Sequence, residues 1–213
     1  MPEAVTLLLL AAVYTMLGIL IGIKVQKRHH ARRLELYKSE ARTDALTGSV
    51  NRRGFDEIMP FRLEETRRQD QPLSLLFVDI DLFKNINDRQ GHEVGDAVLN
   101  VLTQTMRQQL RDSDMTARLG GDEFAIVLES TNLQQANLVA ERLRSAIDER
   151  KTSDDATNHQ FTISIGIAEL LPGETTDDLL KRADTAAYAS KERGRNCCHF
   201  HDGQDCRAVV PPN

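Results

Sequence analysis

The chain has 213 residues, 40% hydrophobic, 28% charged and 5% aromatic, with 12 Gly, 6 Pro, 3 Cys and no Trp, a balance that excludes a disordered chain, a collagen repeat and a disulfide scaffold. The net charge of −5 is unevenly spread: Lys24 to Arg42 holds seven Lys/Arg against two Glu, whereas from Asp44 onward 29 acidic residues face 20 basic ones. An acidic main domain argues against nucleic acid as a partner, but it admits a polyphosphate if a divalent metal bridges the two.

Val5 to Ile23 is 19 residues without a charge, and as a helix it reaches about 28 Å, enough to cross a bilayer. A cleaved secretory signal is disfavoured: the apolar run is too long, Glu3 stands in place of a basic leader, and no small-x-small site follows. Lys24, Lys27, Arg28, Arg32 and Arg33 come directly after the run, so residues 1–23 are expected to be a single anchor with its C-terminal side in the cytoplasm. With four residues before it, no extracytoplasmic domain is expected on this chain. Gly18 and Gly22 form a GxxxG pair able to bring two anchors together. Residues 24–43 contain no Gly or Pro and read as a basic helical stalk. Leu34, Tyr37 and Ala41 trace either a short coiled-coil seam or one face of a solvated helix near anionic lipid.

Beyond the stalk, helical and strand periodicities alternate. Arg52 to Arg68 predicts a helix bent at Pro60. Pro72 to Ile80 (PLSLLFVDI) predicts a buried strand, and Asp81 to Gly95 a short helix plus loop. Asp96 to Leu110 repeats apolar residues at helical spacing. Ala117 to Leu128 spells a hairpin turning at Gly120-Gly121. Gln134 to Arg150 predicts a helix, residues 153–160 a polar loop or hairpin, and Phe161 to Ile167 an alternating strand. Thr175 to Glu192 predicts a final helix, and a short strand follows Asn196. The order implies an α+β fold: a mostly antiparallel central sheet with helices on one face, over residues 44–200, followed by a tail at 201–213.

Two acidic pairs stand out. Asp79 and Asp81 close an apolar strand, where a carboxylate is costly to bury unless it is paired or binds metal. Asp122 and Glu123 sit at the hairpin tip after two glycines, where backbone without Cβ atoms lets a bulky anion approach. If the two strands are neighbours, Asp79 and Asp122 converge and supply hard oxygen ligands for Mg²⁺ or Mn²⁺. Such a site suits in-line attack on a phosphate.

Taken together, Asp44-Ala-Leu-Thr-Gly48, Asn51-Arg-Arg53, Asp79-Ile-Asp-Leu-Phe-Lys84, Asn87-Asp88, Gly91-His92, Gly95-Asp96, Arg118-Leu-Gly-Gly-Asp-Glu-Phe124 and Lys191-x-x-Gly-Arg-Asn196 resemble the GGDEF-domain diguanylate cyclase family. The resemblance implies a palm-like fold related to nucleotide cyclases and polymerases, on a bacterial inner membrane given the anchor. It implies condensation of two GTP into cyclic di-GMP and two pyrophosphates by a homodimer, or else a catalytically inactive GGDEF domain that serves as a binding or dimerisation module. By the same resemblance, Asp79, the Ile80 carbonyl and Asp122 would hold the metals, with Asp122 as base, and Glu123 would be either a further acidic ligand or a positioner of the hairpin. The backbone of Leu82 and Phe83, with Lys84, Lys191 and Arg195, would contact phosphates. Asn87 and Asp96 would read guanine, whose N1–H and N2 amine both donate to a carboxylate. Arg111 and Asp114 form an RxxD pattern that, with Arg142, would bind the product as inhibitor.

Gly48, Asn51 and Arg53 are expected to shape the lead-in turn and dimer surface, and Phe83, Phe124 and Tyr188 to be core. His92 is expected to be structural. Cys197, Cys198, His199, His201 and Cys206 match no zinc-finger spacing and are expected to stay reduced. Ser49 stands where the family usually has an apolar residue.

Overall fold

The computed structural model describes Met16 and residues 42–150 and 160–210. The expected anchor apart from Met16, the stalk up to residue 41, most of the 153–160 loop and the last three residues of the tail lie outside the described residues. No helix among the described residues is long and apolar enough to cross a membrane. Of two separate units, Arg42–Asn213 holds all the elements that follow.

A lead-in turn runs into β1 (Val50–Asn51) and α1 (Arg52–Gln69). Asn51 caps α1, its side chain accepting from Gly54 N at 2.9 Å. The helix continues past Pro60 and stops at Asp70, whose backbone is left-handed. The chain then forms β2 (Leu73–Ile80), α2 (Phe83–Gln90), α3 (His92–Gln109), β3 (Met115–Gly120) and β4 (Glu123–Glu129). It continues through α4 (Leu133–Glu149), β5 (Ile163–Glu169), α5 (Thr176–Glu192), β6 (Cys198–His201) and β7 (Cys206–Ala208). Capping boxes open both α4, from Asn132 and Gln135, and α5, from Thr175 and Asp178.

The seven strands lie in the order β1-β3-β4-β2-β5-β6-β7. Pairing is antiparallel along β3-β4-β2-β5 and at β6-β7, and parallel at β1-β3 and β5-β6. The sheet is therefore mixed, antiparallel at its centre.

Helices cover both faces, which corrects the one-faced sandwich expected from the element order. Leu76, Val78 and Ile80 of β2 pack with Phe124 and Ile126 against Phe83, Leu99, Leu102 and Met106, and against Leu143 of α4. Leu73, Leu75 and Phe77 point the other way, onto Phe55 and Met59 of α1 and Leu179 and Ala183 of α5. All eight residues of β2 are buried, as a strand covered on both sides requires. On the α5 side the approach is close: a Cβ on Gly166 would lie 1.9 Å from the Ala183 carbonyl oxygen and 2.1 Å from Ala187 N, so only glycine fits there.

Two further expectations change. The tail expected from residue 201 holds β7, and Tyr188, expected in the core, is 62% exposed. Phe83 and Phe124 are buried as expected.

Candidate active site

The period of two along β2 that sends Leu75 and Phe77 toward α5 sends Asp79 the same way. Asp79 is buried, and its Oδ2 accepts from Lys191 Nζ, in the last turn of α5, at 2.6 Å. Across the ladder Asp79 is directly opposite Glu123, the residue after Asp122. The neighbour relation on which convergence depended is thus met. Burial pushes the Asp79 carboxyl up to about 6; the bond and charge of Lys191 oppose this, and the charges of Asp122 and Glu123 add to it. Lys191, expected on a phosphate, is therefore the counter-ion of Asp79 here, as a buried carboxylate demands.

Asp81 is not a free ligand. Its carboxylate accepts from Thr162 Oγ1 and Ser164 Oγ, each at 2.6 Å, and from Asn196 N at 3.0 Å. It ties the end of β2 to β5 and to the turn after α5. Next to it Leu82 is left-handed, with φ 58°, and opens α2 without a side-chain cap. A non-glycine residue in that region is strained. An uncapped helix start with exposed Lys84 beside it is where the sequence expects phosphate contacts.

Asn87 lies over Gly95: a Cβ there would stand 2.0 Å from Asn87 Oδ1. That close approach sets Asn87 beside Asp96, the residue after Gly95. Asp96 is exposed, so the penalty for leaving it unpaired arises only once a base covers it. Arg195 is exposed and left-handed, with φ 65°.

Arg111 and Asp114 close one turn after α3, Arg111 N donating to Asp114 Oδ2 at 2.9 Å. Arg142 of α4 reaches the same place and donates to the Gln109 carbonyl. The structure thus gathers these three residues away from Asp79.

Two positioning residues had no role in the sequence reading. Arg118 pairs with Asp44 at 3.1 Å and donates to the Gly121 carbonyl at 3.0 Å from Nε and 2.7 Å from Nη2. Asp44 also accepts from Thr47 N and Oγ1 at 2.9 and 2.7 Å. The lead-in turn therefore grips the acidic hairpin. Burial pushes the Asp44 carboxyl up, but the bonds from Thr47 and Arg118 and the Arg118 charge outweigh it, and the net direction is down. Nothing in the local sequence marks the pair, since Asp44 sits between Arg42-Thr43 and a Thr-Gly-Ser turn far from Arg118 in the chain.

Among the described residues no three His, Cys, Asp or Glu side chains converge into a complete metal site, and this includes the Cys197 to Cys206 stretch. The donors at Asp79, Asp122 and Glu123 nonetheless fit Mg²⁺ or Mn²⁺, because such ions are held by one or two carboxylates plus substrate phosphates. Burial is the main cause of the raised Asp79 carboxyl, and the smaller repulsion added by Asp122 and Glu123 is what a cation there would relieve.

A strand-end carboxylate beside an acidic hairpin, with Lys191 of α5 as its counter-ion, lies at one end of a palm-like α+β domain with a mixed sheet. Residues 41–197 match the family described as "Diguanylate cyclase, GGDEF domain", and the chain belongs to that family. The cyclic di-GMP phosphodiesterase NbdA of Pseudomonas aeruginosa is 39% identical over 166 residues, covering 77% of this chain and 21% of that protein. Diguanylate cyclase A of Treponema denticola is 38% identical over 137 residues, 64% of this chain and 37% of that protein. The chain thus spans well under half the length of either relative. The GGDEF domain of DgcB from Caulobacter crescentus, solved in complex with c-di-GMP, superposes with a TM-score of 0.69 at 34% identity, covering 74% of this chain and 94% of that one.

Proposed function

We propose that this chain is a diguanylate cyclase: two molecules of GTP, one on each subunit of a homodimer, condense into cyclic di-GMP and two pyrophosphates. The observation that carries this is the meeting of Asp79 with the Asp122–Glu123 hairpin, counter-charged by Lys191, beside the Leu82 and Arg195 turns. The relatives and the DgcB domain support it.

In each half-reaction the 3′-hydroxyl of one GTP attacks the α-phosphorus of the other, a P–O bond forms, and pyrophosphate departs. Asp79, the Ile80 carbonyl and Asp122 would hold Mg²⁺ or Mn²⁺, which would neutralise the triphosphate and acidify the hydroxyl. Asp122 takes the hydroxyl proton. Lys84, Arg195 and the start of α2 hold phosphate oxygens, and Lys191 exchanges Asp79 for the triphosphate. Asn87 and Asp96 select guanine, because adenine has no N1–H and leaves the covered carboxylate unpaired. Arg111, Asp114 and Arg142 bind the product. The Val5 to Ile23 run anchors the chain in a bacterial inner membrane with the domain in the cytoplasm.

Incubating the full chain with labelled GTP and Mg²⁺ and identifying the products tests the reading. Cyclic di-GMP and pyrophosphate in a ratio of one to two are expected. Nucleotide binding without turnover would instead identify an inactive binding module.

A further inference from the structure

We infer that Arg144 is a positioning residue for the phosphate-binding Arg195, acting through Asn196; this rests on the proposed reaction. Arg195 lies in a run of three left-handed residues, Gly194 at φ 109°, Arg195 at 65° and Asn196 at 48°. For Arg195 this backbone is unfavourable, so the turn persists because it is tied down by its neighbours. Beside a long bond from Gly194 N to the Lys191 carbonyl at 3.5 Å, three hydrogen bonds do so. Arg195 N donates to the Ser190 carbonyl and Asn196 N to Asp81 Oδ2, each at 3.0 Å. The third comes from a different helix: Arg144 Nη1 of α4 donates to Asn196 Oδ1 at 3.0 Å.

Arg144 is built to hold that position. Its side chain is 15% exposed, and its Nε and Nη2 donate to Glu141 Oε1 at 2.9 and 2.6 Å, with Glu141 itself 9% exposed. A planar guanidinium fixed at two nitrogens aims the third. By contrast, the Arg195 guanidinium has no partner among the described residues and is exposed. Its direction is therefore set by its backbone, which Arg144 steadies. Asn196 also feeds Asp81, two residues from Asp79, so the same tie stabilises the end of β2.

The test measures binding of 3′-deoxy-GTP with Mg²⁺, which lacks the attacking hydroxyl, and steady-state turnover of GTP, both on the full chain. Arg144→Gln should weaken nucleotide binding and raise KM about tenfold, while kcat stays within about twofold. Arg144→Lys should recover part of the affinity. Asn196→Gly keeps the left-handed backbone and the amide to Asp81, leaves the Arg144–Glu141 pair intact and removes only the acceptor. It should reproduce the KM effect even if Arg144→Gln folds poorly. In a double-mutant cycle, Arg144→Gln should add little to Arg195→Ala, whereas a merely structural role would add fully. Additive losses, or parental affinity in folded Arg144→Gln and Asn196→Gly, would overturn the inference. A parent that binds the nucleotide but makes no cyclic di-GMP overturns the proposed reaction and leaves the cycle readable; a parent that binds neither nucleotide overturns both.

Discussion

Asp122 is partly exposed at the hairpin tip, and Asp79 behind it is buried, so substitutions at the two carry different risks for the fold. Asp122→Asn keeps the shape of the tip but removes the charge proposed as ligand and base. Cyclic di-GMP synthesis should fall by at least about 10²-fold with an unchanged melting temperature, measured by product formation and thermal unfolding. Unchanged turnover would remove Asp122 from the chemistry. Ser49 makes the opposite case. It stands where the family favours an apolar side chain, and its hydroxyl is buried without a hydrogen-bond partner. Ser49→Ala should raise stability by about 1 kcal/mol in urea unfolding and leave activity alone; a loss of stability would show that the hydroxyl is satisfied in solution. The burial of Asp79 was legible because a carboxylate closing an apolar strand needs a partner. That Lys191 also reaches Asp79 was not legible, since sequence spacing cannot say that the end of α5 meets the end of β2.

Among the elements, the strands and most helices were legible from periodicity, with boundaries shifted by a few residues. Helices on both sheet faces were not, although the unbroken apolar run of β2 is the sign of a strand buried on both sides. The lead-in turn was seen as a shape, and its grip on the hairpin was missed, because Asp44 and Arg118 are 74 residues apart. That grip has a pH signature. The folded Asp44 carboxyl titrates below its ordinary 3.8, so the unfolded chain takes up the proton first as pH falls. Its contribution is fully present above about pH 4 and fades as pH drops through the lower, folded value. Asp44→Asn should therefore cost about 2 kcal/mol at pH 7, and the gap from the parent should narrow below pH 3.8 in urea midpoints taken between pH 7 and 2.5. A gap independent of pH would mean that the ion pair with Arg118 contributes nothing.

For the whole molecule, the proposed product-binding group and the carboxylate site lie apart on one domain, Arg142 bridging α4 to the end of α3. Arg111→Ala should let product accumulate several-fold further with little change in the initial rate, and added cyclic di-GMP should inhibit it only at much higher concentration. Inhibition at the parental concentration would place feedback elsewhere. Assembly of two such domains also meets a constraint from the sheet. Its edges are β1 and β7, of two and three residues, and β1 is further shielded by the Thr43–Val50 bridge. A second copy finds almost no open backbone ladder to extend. In the proposed homodimer the two domains would then meet through side chains and the nucleotides themselves, an encounter that can dissolve once the product leaves, without unzipping any strand.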